Sequence, residues 1–299
     1  MCAAKMHADE ADIDDSLVRG LIAAQFPQWA DLRVEAVASS GTDNAMYRLG
    51  EDMAVRLPRT AGAAGDVEPE QRWQPWLASR LPVAVPVPLG KGTPTADYPW
   101  SWTVCRWLDG DNPVVGRLAQ PALLATELAD FITALRRIDP AEGPWTRRGA
   151  PLATLDAGAR AAIAQLHGLI DTDAVTAVWE EALKIPERSG PTAWLHGDLS
   201  PGNVLVRGGR LSAVIDFGCA GVGDPTADLM VAWNLLPAEA RGVFRDALEA
   251  DDAMWARGRG WALGVALIQL PYYWETNPVL AANSRHVIRE VLADQGYVG

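Results

Sequence analysis

The sequence predicts an α+β protein of two lobes, in which a lobe built on an antiparallel β-sheet precedes a mainly helical lobe. The chain has 299 residues, and domains usually hold roughly 100–200, so two lobes are expected. Short strand-like runs dominate the beginning of the chain, whereas long helical patterns dominate the rest. A turn cluster at 109–113 separates the two patterns. It predicts an N-terminal lobe over residues 1–109 and a C-terminal lobe over 110–299.

Turn-forming residues divide the N-terminal lobe into short elements. The predicted elements, in order, are a helix over 15–25, strands over 33–38, 45–49 and 53–57, a Gly/Ala-rich loop over 60–65, a helix over 66–81 and a strand over 100–108. In the second helix Asp66 is the expected N-cap, and Trp73, Trp76, Leu77 and Leu81 share one face. The first three strands predict an antiparallel meander.

The C-terminal lobe is predicted to be helical except for one small β-hairpin insert. The predicted helices are 121–138, 155–169, 174–183, 226–236, 238–250, 253–273 and 280–293. Short apolar strands at 193–195, 204–206 and 211–215, joined by Gly-rich turns, interrupt them.

The composition argues against several classes of partner. The formal net charge is −12 and no Lys/Arg-rich run occurs, so nucleic-acid binding is not expected, and cationic ligands are weakly favoured. The three cysteines, Cys2, Cys105 and Cys219, are too few and too widely spaced for a disulfide framework or a zinc site. Residues 1–15 do not resemble a signal peptide, and the longest apolar stretch, 261–274, is too short to span a membrane. A cytoplasmic protein is expected.

The hairpin insert carries the densest cluster of polar residues in an apolar setting. Asp198 and Asn203 lie between the first two strands of the insert, and Asp216 directly follows the third. Phosphoryl transfer requires a group that orients the attacking hydroxyl and accepts its proton, and Asp198 suits that role. It also requires Mg²⁺ on the phosphates, and Mg²⁺ prefers carboxylate and amide oxygens such as those of Asp216 and Asn203.

Two motifs in this cluster resemble the aminoglycoside phosphotransferase family, a branch of the protein-kinase-like fold. They are His196-Gly-Asp-xxxx-Asn203 and Ile215-Asp-Phe-Gly218. The resemblance implies a bilobal protein-kinase-like fold with one αC-type helix in the N-terminal lobe. It implies transfer of the γ-phosphate of ATP, with Mg²⁺, to a hydroxyl of a small molecule. Asp198 would be the catalytic residue, and Asn203 and Asp216 the metal ligands.

The N-terminal lobe extends the resemblance to the nucleotide. Glu70 takes the place of the ion-pairing glutamate of the αC-type helix, and Arg56 stands where the family most often has lysine. Arginine is always charged and can clamp phosphate, so Arg56 is the expected partner of Glu70, with Arg59 as a competitor. The backbone near Cys105 and Trp107, in a hinge near 104–109, would bind the adenine of ATP, although backbone contacts leave GTP open.

The loop expected to cover the phosphates, residues 39–44, lacks a full GxGxxG pattern. Phosphate would instead meet backbone N–H groups and the hydroxyls of Ser40 and Thr42.

Three further residues are expected to support the catalytic loop rather than to touch substrate. His196 would hydrogen-bond backbone within the loop, with a proton shuttle as the weaker alternative. The segment Gly223-Asp-Pro-xx-Asp228-Leu resembles another motif of the family. Asp224 would cap the helix that begins at Thr226, and Asp228 would brace the loop from behind.

The family motifs leave the acceptor open, since acceptor choice lies in the variable helices. An aminoglycoside or related amine-bearing sugar is expected. The alternatives are a macrolide, or a small metabolite of the choline, homoserine or methylthio-sugar type. A catalytically inactive kinase-fold binding protein, and a hydrolase with His196, Asp198 and Asp216 as metal ligands, are the rivals from other classes. The oligomeric state is not predicted.

Overall fold

The computed structural model describes residues 10–37, 41–188 and 190–297. The chain divides into two compact units, Met1–Asp109 with Ala213–Gly218 and Gly110–Ser212 with Cys219–Gly299. Within the first unit, Val214 N–H donates to Ala84 O at 3.0 Å, which links the segment Ala213–Gly218 to the preceding part of the chain. From the sequence, this segment was expected in the C-terminal lobe with the rest of 110–299.

An antiparallel sheet of five strands forms the centre of the first unit. The strands are β1 (Val34–Ala36), β2 (Asn44–Leu49), β3 (Met53–Pro58), β4 (Pro88–Gly92) and β5 (Trp102–Arg106), and their order across the sheet is β1-β2-β3-β5-β4. In β2, Ala45, Tyr47 and Leu49 are buried and alternate with partly exposed residues, the period expected of a strand with one core-facing side. The predicted meander is therefore present.

The helix α1 (Asp15–Gln25) covers the core beside this sheet. It begins after Asp14, whose Oδ1 accepts the N–H of Leu17 at 2.8 Å. Its buried residues Val18, Leu21 and Ile22 join the same hydrophobic cluster as Tyr98 and Trp102.

Two expectations for the first unit were wrong in detail. The loop expected at 60–65 contains a single helical turn, α2 (Ala61–Ala64), because Thr60 Oγ1 caps it by accepting the N–H of Ala63. The next helix, α3 (Val67–Ala78), is shorter than expected, and Asp66 has helical backbone angles and makes no capping hydrogen bond.

The buried face of α3 also differs from the expected one. It is formed by Val67, Glu70, Gln74 and Leu77, while Trp73 and Trp76 are only partly buried. Two polar side chains therefore occupy a face that the hydrophobic pattern alone did not indicate.

Helices form most of the second unit. They are α4 (Pro121–Arg136), α5 (Asp156–Gln165), α6 (Thr172–Leu183), α7 (Val231–Asn234), α8 (Ala238–Ala247), α9 (Asp252–Tyr273) and α10 (Pro278–Asp294). Four short strands form two two-stranded sheets, with β6 (Ala193–Leu195) paired to β9 (Gly221–Gly223) and β7 (Val204–Arg207) paired to β8 (Arg210–Val214).

The expected helix at 226–236 is instead a buried 3₁₀ helix, Pro225–Met230, followed by the single turn α7. The strand β9 was not predicted, since three residues are too few to show a period. Its glycines permit close packing, because a Cβ on Gly223 would lie 2.5 Å from the Cα of Gly149.

Within the ranges described above, the structure holds no helix with the length and apolarity needed to cross a membrane. Even α9, with 22 residues, carries Arg257 and Arg259.

Candidate active site

The loop between β6 and β7 carries the predicted catalytic residue, and a buried carboxylate holds it from behind. Asp228 Oδ2 accepts the N–H of His196 at 3.0 Å, and its Oδ1 accepts the N–H of Gly197 at 2.7 Å. Asp228 is fully buried, and this burial raises its pKa, although His196 and the two N–H groups oppose the shift. The brace expected of Asp228 is present.

His196 and Gly197 give the loop its local shape. The Nδ1 atom of the buried His196 ring accepts the N–H of Asp198 at 3.2 Å, so the histidine bonds backbone as expected. Gly197 has a φ of 80°, a left-handed conformation that side chains other than that of glycine rarely adopt. The loop therefore turns sharply just before Asp198.

Asn203 lies at the end of the same loop and contacts Asp198 directly. Its Nδ2 donates to both the carbonyl oxygen and Oδ2 of Asp198, each at 2.8 Å. Because the amide nitrogen is used in this way, Oδ1 is the atom of Asn203 that could bind a cation. The side chain of Asp198 is 32% exposed and so can meet a ligand.

Asp224 lies in the same unit and caps the 3₁₀ helix that follows it, Pro225–Met230. Its Oδ1 accepts the N–H of Thr226 at 3.1 Å, which is the expected cap, and its Oδ2 lies 3.5 Å from Nε of Arg257.

Two residues that the sequence analysis missed also contact this loop. Asn112 Nδ2 donates to the carbonyl oxygens of Pro201, Gly202 and Val204 at 3.1, 2.9 and 3.0 Å. Arg148 Nη2 lies 3.4 Å from Asp198 Oδ1. Asn112 belongs to the turn cluster at 109–113, and no periodic pattern marked either residue.

The first unit brings Arg56, Glu70 and Asp216 together. Arg56 Nη1 lies 2.8 Å from Glu70 Oε2, and both side chains are about nine-tenths buried, so the expected ion pair is present. Arg56 Nη2 lies 3.4 Å from Asp216 Oδ1. The competitor Arg59 instead contacts Glu10, with 3.4 Å between Nη1 and Oε2.

The charges of this cluster are strongly coupled. Burial opposes ionisation of Arg56, but Glu70 and Asp216 raise its pKa above the ordinary value. Burial raises the pKa of Glu70 to about 7, although Arg56 opposes the shift. Asp216 has a φ of 63°, a left-handed backbone conformation. Its carboxylate contacts Arg56, and because the side chain is 36% exposed it is also accessible to a ligand.

Asp66 is a further acid near this cluster, and its position was not predicted. A Cβ on Gly218 would lie 3.0 Å from Asp66 Oδ2, which places Asp66 against the Asp-Phe-Gly motif. Desolvation, followed by the charges of Asp43 and Asp216, raises its pKa to about 6.

Asp66→Asn is expected to stabilise the metal-free protein more at about pH 8 than at about pH 4. The raised pKa means that the folded state binds the Asp66 proton more tightly than the unfolded state does. This contribution to stability is present below the ordinary pKa of 3.8 and is lost as the pH rises through about 6. Melting temperatures in a chelator would check this, with the exposed Asp97→Asn as control. A change in melting temperature that is the same at both pH values would contradict the raised pKa of Asp66.

The remaining nucleotide-binding expectations have different outcomes. Ser40 lies outside the described residues, and the hydroxyl of Thr42 donates to Asp43 Oδ1 at 3.2 Å. Cys105 is buried in β5, opposite Ala54 of β3. The N–H of Trp107 already donates to Asp52 O at 2.7 Å, so its carbonyl is the group that could meet an adenine.

Among residues 10–37, 41–188 and 190–297, no group of three or more His, Cys, Asp or Glu side chains is arranged to hold a metal ion. His196, which the hydrolase alternative needs as a ligand, is buried and uses Nδ1 within the loop. This geometry gives the hydrolase alternative no support. A cation held by one carboxylate, one amide oxygen, phosphate and water remains compatible with the side chains present.

Solved structures of known proteins share this fold. The GDP and kanamycin complex of APH(2")-IIia superposes with a TM-score of 0.74 at 19% identity, over 93% of this chain and 99% of that chain. The macrolide 2'-phosphotransferase MphH from Brachybacterium faecium gives 0.62 at 20% identity, over 92% and 97%. These likenesses confirm the predicted α+β kinase-like fold.

Sequence comparison gives the family. The aminoglycoside 3'-phosphotransferase of Escherichia coli is 37% identical over 62 residues, which are 21% of this chain and 23% of that protein. The chain thus matches under a quarter of the length of this curated relative. The model of the phosphotransferase enzyme family, in contrast, matches residues 35–261, about three quarters of the chain. The chain therefore belongs to the phosphotransferase enzyme family.

Proposed function

We propose that this protein transfers the γ-phosphate of ATP to a hydroxyl group of a small, amine-bearing sugar such as an aminoglycoside. The observation that carries the proposal is the accessible Asp198 carboxylate, fixed by Asn203 on a loop that Asp228 braces. The proposal is also supported by the match to the phosphotransferase enzyme family, which covers residues 35–261 and so includes this loop.

In this proposal Asp198 orients the acceptor and receives its proton. Phosphoryl transfer passes through a loose transition state, in which the nucleophile is only weakly bonded, so the protein contributes mainly positioning and charge stabilisation. A carboxylate that is already held in place can accept a hydrogen bond from the acceptor hydroxyl without being reoriented. Asn203 supplies that restraint, because its Nδ2 donates to Asp198 Oδ2.

The first unit would supply the groups that handle the phosphates. Arg56 is an arginine at the position of the family's usual lysine, and Glu70 and Asp216 fix its guanidinium. Its fork of N–H groups suits phosphate oxygens. The Asp216 carboxylate and the Asn203 amide oxygen are the donor types that Mg²⁺ prefers. When bound, Mg²⁺ would neutralise charge on the β- and γ-phosphates.

Two kinds of support bear on the acceptor. The net charge of −12 favours a cationic ligand over an anionic one. Structures with this fold include complexes with kanamycin, gentamicin and streptomycin. Macrolide phosphotransferases share the fold as well, so a macrolide is the alternative that the test must separate.

Solved structures with this fold contain GDP, ADP or ATP, so the test includes both ATP and GTP as phosphate donors. A panel of aminoglycosides, macrolides, choline, homoserine and a methylthio-sugar would be incubated with the protein, Mg²⁺ and either ATP or GTP. We expect an aminoglycoside to gain one phosphoryl group by mass, with ATP as donor. Transfer to a macrolide and to no aminoglycoside would show that the acceptor is a macrolide and would refute the proposed acceptor. Failure with every acceptor, together with no nucleotide binding, would support the inactive binding protein.

Asp216→Asn is expected to weaken the affinity for ATP about tenfold or more in the presence of Mg²⁺, because it removes a carboxylate from the cation site. Without Mg²⁺, the variant should bind ATP no more weakly than the wild type, because the substitution removes a negative charge that repels the phosphates. Calorimetric titration measures both, and the exposed Asp31→Asn in the same unit serves as the control. Equal affinities with Mg²⁺ present would refute the metal role of Asp216.

A further inference from the structure

Arg148 contacts the carboxylate oxygen of Asp198 that Asn203 does not. Its Nη2 lies 3.4 Å from Asp198 Oδ1, whereas Asn203 Nδ2 lies 2.8 Å from Oδ2. The side chains of Arg148 and Asp198 are 22% and 32% exposed, so the pair is partly shielded from water. Donors on both oxygens restrain the plane of the carboxylate as well as its position, because rotation of the group would disturb both contacts.

A short segment beside β9 brings Arg148 to this point. The N–H of Thr146 donates to Val222 O at 3.3 Å, and the N–H of Val222 donates to Pro144 O at 2.7 Å. The Thr146 hydroxyl donates to Cys219 O at 2.8 Å and accepts the N–H of Arg148 at 3.2 Å. The N–H of Asp224 also donates to Gly149 O at 2.9 Å, so the backbone is anchored both before and after Arg148.

Gly197 leaves the space that the Arg148 side chain occupies. A Cβ on Gly197 would lie 2.8 Å from Cβ and 2.9 Å from Cγ of Arg148. The glycine of the loop therefore has a second role besides its backbone conformation, since it allows Arg148 to pack against the residue that precedes Asp198.

The charge of Arg148 is retained in this setting. Burial alone would lower its pKa, but Asp198, followed by Cys219, raises the pKa above the ordinary value. Arginine remains protonated throughout the range in which proteins are folded, so Arg148 keeps its positive charge beside Asp198.

We propose that Arg148 is a positioning residue, which holds the Asp198 carboxylate in the orientation that receives the acceptor hydroxyl. The inference rests on the proposed function, in which Asp198 is the catalytic residue. It extends that function to a residue 50 positions upstream, outside both family motifs. Catalysis that relies on positioning is sensitive to such restraints, since a displacement of about 1 Å can cost about 10²-fold in rate.

Steady-state kinetics of three variants test the proposal. Arg148→Ala should lower kcat by roughly 10²-fold and change KM for ATP by less than about threefold. Arg148→Lys, which keeps the charge but offers a single donor nitrogen, should retain an intermediate kcat. Arg147→Ala, the same change at the exposed neighbour, should match the wild type. Wild-type kcat in Arg148→Ala, or a loss shared equally with Arg147→Ala, would overturn the positioning role.

A crystal structure of Arg148→Ala decides the same point without any assay. We expect the Asp198 carboxylate to adopt more than one orientation in that variant and a single orientation in Arg147→Ala. One unchanged orientation in Arg148→Ala would refute the inference even if the wild type were active. Absence of phosphoryl transfer by the wild type would instead count against the proposed function, and the crystal structure would still decide the role of Arg148.

Discussion

Asp198→Asn is expected to lower kcat for phosphoryl transfer by about 10²- to 10⁴-fold while leaving the affinity for Mg²⁺–ATP close to that of the wild type. Asparagine has nearly the shape of aspartate, and its oxygen can still accept the hydrogen bond from Asn203 Nδ2. It cannot receive the proton of the acceptor hydroxyl at neutral pH. The loss should therefore appear in kcat and not in nucleotide binding.

Asp246→Asn is a matched control, since Asp246 is an exposed carboxylate in the same unit. Asp198→Ala is less informative, because it also removes the partner of Asn203 and can disturb the loop. Turnover by Asp198→Asn within a few-fold of the wild type would refute the catalytic assignment. An equal loss of ATP affinity and kcat would indicate a structural role instead.

Asp228→Ala is expected to have the largest effect on stability, lowering the free energy of unfolding by about 3–5 kcal/mol. The substitution leaves the N–H groups of His196 and Gly197 without their acceptor in a fully buried position. Two buried donors that lose a charged acceptor cost more than a single surface hydrogen bond. The loop that carries Asp198 should loosen at the same time, and kcat should fall.

Urea unfolding followed by tryptophan fluorescence measures this effect. Asp171→Ala is the comparison, because the exposed Asp171 caps α6 by accepting the N–H of Ala174 at 3.0 Å, and its removal should cost only about 1 kcal/mol. A loss for Asp228→Ala no larger than that for Asp171→Ala would contradict the role assigned to the buried carboxylate.

The sequence indicated Asp198 and Asn203 as candidates because the motif that carries them is short and local. The contact between them, five positions apart, was not predicted and is shown by the structure. The brace from Asp228 and the pair between Arg56 and Glu70 were also expected, but from the resemblance to a family, since 32 and 14 residues separate the partners. Their roles in binding and catalysis stay predictions.

What the sequence could not predict depends on long-range packing. Arg148 lies 50 residues from Asp198, and Asn112 lies 89 residues from the first of its carbonyl partners. Neither occupies a periodic pattern, so neither carries a local signal. Asp66 was expected to cap a helix, but its side chain makes no capping hydrogen bond. Its pKa is raised by burial and by acidic residues that folding brings close, and neither cause is visible in the local sequence.

Above all, we propose that Asp198 is the residue that serves transfer of a phosphoryl group to a small-molecule hydroxyl. The most direct measurement is the mass of an aminoglycoside after parallel incubation with wild-type protein and with Asp198→Asn, in the presence of ATP and Mg²⁺. We expect that the wild type adds one phosphoryl group and that Asp198→Asn, with equal ATP affinity, adds almost none in the same time. Equal phosphorylation by the two proteins would contradict it.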